Sequence, residues 1–206
     1  MKLNLSRSEI KSEIEKAVRG SGFDWGRAKD AGVMAVWLSM HDQPFLGTIL
    51  RFLDEYSHQQ EGVLPSKRGP IDGMLLSEYV LATQSSWTGH LMGVRYLIAG
   101  MGVVTQEQNA ALVLENNNGD ALAYAESGIV SIDTSAKFQD AELCLKPADP
   151  SRDLGHLDRL KRNEGMSDLV SKSCWSRLNA LAFRVYVPET EEKRRSGAGA
   201  GDIDNS

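Results

Sequence analysis

Three side chains stand out for the chemistry they could do together: His41, Asp42 and Asp30. Asp30, Met34, Trp37 and His41 recur at i, i+4, i+7 and i+11, which places them on one face of a helix. An imidazole oriented by a carboxylate is the minimal general acid/base pair. At the C-terminal end of that helix the backbone dipole favours the imidazolium form. The competing structural reading is a capping histidine packed on Trp37. Trp37 itself, with Arg27 or Arg51 as an anion clamp, completes a candidate ligand-binding set. A second set lies at the other end of the chain, where Gly197, Gly199 and Gly201 follow Lys193, Arg194 and Arg195. Glycines so spaced either form a solvated end or turn their N–H groups inward as an anion nest.

Other constellations carry less. Tyr96 to Thr105 imitates a strand entering a dinucleotide-binding G-x-G-x-x-G, but Thr105 replaces the third glycine and no crossover helix fits before Ala110. Asp153, His156 and Asp158 have no recognised ligand spacing, and a solvated loop is the better reading. His90 and His58 stand alone, so no metal and no cofactor are expected. Cys144 and Cys174 read as buried thiols in a reducing compartment.

These residues need elements to hold them. Ser6 and Glu9 form a capping-box pattern for a helix reaching Arg19. Asp24 caps a second helix to about Met40, along which Ala28, Ala31, Gly32, Ala35 and Ser39 make a stripe of small residues that admits a neighbouring backbone. Pro44, at the first position of a third helix, precedes an apolar face of Phe45, Ile49, Phe52, Leu53 and Tyr56. Residues 57–72 read as a connection and 74–83 as a short helix. Residues 87–104, with glycines amid apolar side chains, fit either a helix with glycine contacts or a buried strand. From Ala110 the pattern becomes β: a hairpin turning at 116–120, then strands near 128–132 and 141–145. Residues 147–170 read as loop, 174–183 as a last helix and 184–187 as a closing strand.

The fold class expected is α+β: an N-terminal three-helix layer over residues 6–56 packed on a small, mostly antiparallel sheet in residues 94–146. A C-terminal helix at 174–184 completes one domain over residues 1–188, and 189–206 form a glycine-rich tail. With 206 residues, 41% hydrophobic, the chain is long enough for one full core. Its net charge of −5 argues against nucleic acid or an anionic membrane as partner. No apolar leader and no membrane-length apolar run is present, so the expected location is the cytoplasm.

Two segments carry a resemblance. Trp25-Gly26-x-Ala28-x-x-Ala31-Gly32 with Ala35-x-Trp37-Leu38, and the ending Tyr186-Val187-Pro188-Glu189-Thr190-Glu191 with Gly197-Ala198-Gly199-Ala200-Gly201-x-x-Asp204-Asn205, resemble a bacterial family catalogued as a domain of unknown function. The chain closes on Ser206 where that pattern continues with Asp. The resemblance implies a bacterial, cytoplasmic protein and carries no reaction. A slighter similarity, through Ser39-Met40-His41-Asp42, is to the N-terminal helices of type-2 malate/lactate dehydrogenases. The expectation is therefore an accessory protein that binds a small molecule or a protein partner and that could form a homo-oligomer. The alternative is a small-molecule enzyme with His41 as acid/base.

Overall fold

The computed structural model describes residues 2–57, 69–138, 140–149, 154–163 and 167–186. They form six α-helices with two antiparallel sheets, one of six strands and one of two, an α+β arrangement.

A short strand β1 (Lys2–Leu5) leads into α1 (Arg7–Gly20). The helix starts where the sequence marks it. Ser6 Oγ accepts from the Glu9 N–H at 3.2 Å, and the Ser6 N–H donates to Glu9 Oε2 at 2.8 Å. Two otherwise unpaired N-terminal donors are thereby satisfied. Helix α2 (Trp25–Met40) begins at Asp24, whose Oδ1 accepts from the Arg27 N–H at 3.0 Å. Its stripe of small side chains is buried, and α1 lies along it. A Cβ added to Gly32 would sit 2.7 Å from Glu15 Cγ and 3.1 Å from the Lys11 carbonyl oxygen, so the approach depends on the missing side chain. That packing offsets the ~1 kcal/mol that a mid-helix glycine costs. The opposite side of α2 is covered too, for Met34 and Trp37 are buried and the helix packs on α5.

Helix α3 (Leu46–Ser57) begins two residues beyond Pro44, not at it. The turn that ends α2 runs on through Asp42, in the left-handed region at φ 52°, and Gln43, whose N–H donates to the Leu38 carbonyl. Pro44 therefore belongs to the connection, and the Phe45 carbonyl accepts the first helical bond from Ile49. Phe23, Phe52 and Tyr56 cluster where α3 meets the loop after α1.

The stretch with two readings is both. Residues 87–91 form β2 (Trp87–Leu91), and Gly93, at φ 80°, turns the chain into α5 (Val94–Gln108). Residues 94–108, which the pattern places at the head of the sheet region, are thus helical. The helix crosses α4 (Gly73–Thr83) with backbone against backbone: a Cβ on Gly100 would fall 2.4 Å from the Gly73 carbonyl carbon. Gly100 and Gly102 are therefore packing glycines inside a helix and not a phosphate-binding turn between strand and helix.

The larger sheet contains β2, β3 (Ala111–Asn116), β4 (Ala121–Glu126), β5 (Ile129–Ile132), β6 (Ala141–Pro147) and β7 (Asp158–Arg159), in the order β2-β6-β3-β4-β5-β7. The β3–β4 hairpin turns on Asn116, whose Oδ1 accepts from the N–H groups of Asn118 and Asp120, both at 2.9 Å. Helices α4 and α5 pack against this sheet, and α2 packs onto those two with α1 lying on α2. Strand β8 (Ser167–Ser171) pairs with β1 and leads into α6 (Lys172–Ala182), which lies on α1. Residues 147–170, read as loop, thus contain two short strands. After α6 the chain tightens into a 3-10 turn over Phe183–Val185 in place of the closing strand. Cys144 in β6 and Cys174 in α6 are free and half-buried, where full burial was expected.

Candidate functional site

Residues 158–163 cross from the sheet to the end of α2 as a strap, tied at both ends. At one end β7 pairs with β5, and the Leu160 N–H donates to the Val130 carbonyl at 2.8 Å. At the other, the Asn163 N–H donates to the Met40 carbonyl, and its Nδ2 donates to Asp42 Oδ1 at 3.2 Å and Oδ2 at 3.3 Å. Arg7 of α1 adds a bond to the Asn163 carbonyl at 3.3 Å. Under the strap lies a cleft of about 750 Å³, lined by Arg159, Lys161 and Arg162, by Trp37 and His41 of α2, and by Gln106 of α5.

The floor of the cleft is built in steps. Gly102 leaves the slot that Trp37 fills, since a Cβ there would come within 2.7 Å of Trp37 Cζ2. One turn further along α5, Gln106 covers the Ser127–Gly128 turn, which is fastened by a bond from the Gly128 N–H to Thr105 Oγ1 at 3.3 Å. The His41 ring stacks on Trp37 with centroids 3.8 Å apart and planes 25° apart. Its Nδ1 is 2.8 Å from the Trp37 carbonyl oxygen. A carbonyl can only accept, so Nδ1 carries the hydrogen and the neutral ring keeps its lone pair on Nε2. Nε2 has no hydrogen-bond partner among the described residues. Ile129, 47% exposed, forms an apolar wall.

The electrostatics are one-sided. Among the described residues no ion pair or hydrogen bond engages the side chains of Arg159, Lys161 or Arg162, and all three are exposed. Burial holds His41 below its ordinary pKa, and the Arg162 charge acts in the same direction. The Trp37 carbonyl bond and the Asp42 charge oppose them without prevailing. The helix-dipole expectation of a charged His41 thus yields to desolvation.

Of the residues singled out from sequence, only His41 and Trp37 line this cleft. Asp30 lies some 16 Å back along α2 at ~1.5 Å per residue. Burial there raises its pKa, as do the charges of Glu78, Asp24 and Glu107. Asp42 adjoins His41 but turns its carboxylate to Asn163. Arg27 is at the far end of α2, 3.7 Å from Asp24, and Arg51 pairs with Asp140 at 2.7 Å. Neither arginine is among the cleft residues. Gly197, Gly199 and Gly201, with the rest of the tail at 189–206, lie outside the described residues, as do Asp153 and His58. His156 Nε2 meets the Ala121 carbonyl at 3.1 Å, Asp158 Oδ2 accepts from Thr134 Oγ1, and His90 is exposed on β2. Among the described residues no three His, Cys, Asp or Glu side chains converge as metal ligands.

The sequence does display the cations, as the run Arg159-Leu160-Lys161-Arg162. What it hides is that this run passes over the end of a helix about 120 residues earlier. No helix among the described residues is long and apolar enough to cross a membrane. Residues 5–67 match the model of a family described as "Protein of unknown function (DUF3726)", a segment that includes Trp37 and His41 but not the strap. No curated protein and no solved structure matches the chain.

Proposed function

We propose that the protein is a binding protein whose ligand is a small anion, or an anionic group on a larger molecule, held in the cleft beneath the strap. One observation carries this reading: three cations without counter-charge among the described residues line one cleft, on a segment of backbone anchored at both ends. Anchored backbone lowers the ordering cost of gripping a ligand, which is the usual route to affinity from few interactions. Guanidinium groups match carboxylate and phosphoryl oxygens with paired N–H donors. The exposed Ile129 beside them suits a ligand with an apolar body as well as a charged head.

Thermal unfolding in the presence of sulfate, phosphate and dicarboxylates tests the reading. At least one of these dianions should raise the Tm of the wild type and leave that of R159Q/R162Q unmoved. A wild-type Tm indifferent to all of them would remove the cleft as an anion site.

A second reading, with His41 as a general base, is favoured by its unpartnered Nε2 and by the burial that keeps the ring neutral. The missing carboxylate behind Nδ1 weighs against it, because a carbonyl oxygen orients the ring but stabilises an imidazolium far less. Under this reading His41→Phe abolishes turnover of a bound substrate while binding persists.

A further inference from the structure

We propose that anion uptake in this cleft is coupled to uptake of one proton, which goes to Nε2 of His41. The coupling rests on the anion-cleft reading and adds how that site is regulated.

The geometry sets this up. Nδ1 is already committed to the Trp37 carbonyl and the ring is held flat on Trp37. The ring nitrogen left to change state is therefore Nε2, and it can gain a proton without the ring turning. Four elements surround the ring's side of the cleft. The strap brings Arg159, Lys161 and Arg162; α2 and its end bring Asp42; α5 brings the neutral Gln106; the β4–β5 turn brings Ser127. The one carboxylate in that set, Asp42, accepts two hydrogen bonds from Asn163. With the cleft empty, the loss of solvent and the Arg162 charge both work against a positive charge on the ring. An anion of charge −2 offsets that positive field and offers the imidazolium a partner. The imidazolium is then paired, and its Nε2–H becomes a fourth donor to the ligand.

Linkage fixes the direction of the pH effect. Below the pKa of the empty protein His41 is already protonated, and binding takes up nothing. Between the empty-state and bound-state values one proton enters with each anion, and affinity falls with rising pH. Above the bound-state value the ring stays neutral and affinity levels off. Proton uptake is thus greatest near neutrality if the bound value is raised past it.

Sulfate is the probe of choice because it remains a dianion throughout the working range, so any pH dependence belongs to the protein. Calorimetric titration of the full-length chain in two buffers of different ionisation enthalpy counts protons directly. The wild type should take up a substantial fraction of one proton per sulfate near pH 7, with affinity dropping about tenfold for each unit by which binding raises the His41 pKa. His41→Phe, which keeps a ring on Trp37, should still bind sulfate, with no proton uptake and a flat pH profile. His41→Gln, with a donor that does not titrate, should bind with the same flat profile. Sulfate binding to the wild type without proton uptake overturns the coupling and leaves the anion cleft standing. Uptake that survives in His41→Phe also overturns it, since the proton then goes elsewhere. Failure of sulfate to bind the wild type removes both the cleft reading and the coupling.

Discussion

Two clefts among the described residues are of nearly equal size, about 750 Å³ beneath the strap and about 710 Å³ beside the β3–β4 hairpin, and they differ in what their polar groups are doing. At the hairpin cleft the polar atoms are largely taken up by the turns that form it. Asn116 Nδ2 donates to Asp120 Oδ2, Asp133 Oδ1 accepts from Ser135 N and Oγ, and His156 Nε2 meets the Ala121 carbonyl. These bonds specify local backbone shape, and the Ser135 hydrogen bonds hold Asp133 below the usual carboxylate range. At the strap cleft the backbone is fixed by the β5–β7 pairing and by bonds from Leu160 and Asn163, which leaves the side chains of Arg159, Lys161 and Arg162 uncommitted. Volume does not distinguish a site from a crease. Free hydrogen-bonding capacity, held in place by something else, does.

Charge removal is the most direct assault on this contrast. R159Q/R162Q should weaken sulfate binding by about a hundredfold, at ~1.5 kcal/mol or more for each charge-assisted hydrogen bond removed. Lys137→Gln, in the hairpin cleft, should leave the isotherm where it was. Equal losses in the two variants would mean that sulfate responds to overall charge and not to the strap.

Detaching each cleft's anchor gives the next largest effect. Asn163→Ala releases Asp42 and should lower sulfate affinity about tenfold, alongside a loss of ~1 kcal/mol in denaturant unfolding. Asn116→Ala removes the turn acceptor for two backbone N–H groups and should cost a similar ~1–2 kcal/mol, with sulfate affinity unchanged. If Asn163→Ala loses stability but not affinity, the strap is a structural tie and nothing more.

The smallest effect is spectroscopic and needs no mutation beyond assignment. The two cleft histidines are held by opposite nitrogens, so ¹⁵N NMR of the neutral rings should show His41 as the Nδ1–H tautomer and His156 as the Nε2–H tautomer. On acidification the His41 signals should move with a midpoint below the ordinary histidine value, because burial disfavours the imidazolium. The same midpoint should rise when sulfate is added.

Much of the fold is legible in the chain because local signals and tertiary structure agree there. The Ser6/Glu9 and Asp24 caps, the stripe of small residues on α2 and the Asn116–Asp120 turn each state their own geometry within a few residues. The same holds for the alternation of Leu143 and Leu145 in β6. Elements defined by a distant partner leave no such mark: β1 and β8 exist only by pairing with each other, and the two-residue β7 only by pairing with β5. The site shows the same division. His41 and Trp37 are legible because four residues on one helix fix their stacking. Asp30 misleads because sharing a helical face says nothing about a separation of three turns. Arg51 misleads because its partner, Asp140, comes from a loop 89 residues away. Arg159, Lys161 and Arg162 carry their charge in plain view, and only the crossing to Met40 and Asp42 gives that charge an address.

The bonds from Asn163 to Met40 and Asp42, and from Arg7 to the Asn163 carbonyl, join segments more than 100 positions apart. A pocket closed this way has no existence in any fragment or half-opened form of the chain. Whatever occupies it therefore acts as a clasp on the entire molecule. At a hundred times its dissociation constant such an occupant adds ~2.7 kcal/mol against global opening. Amide protons buried in α1 and in α5, neither of them near the ligand's charge, would then slow their exchange in step.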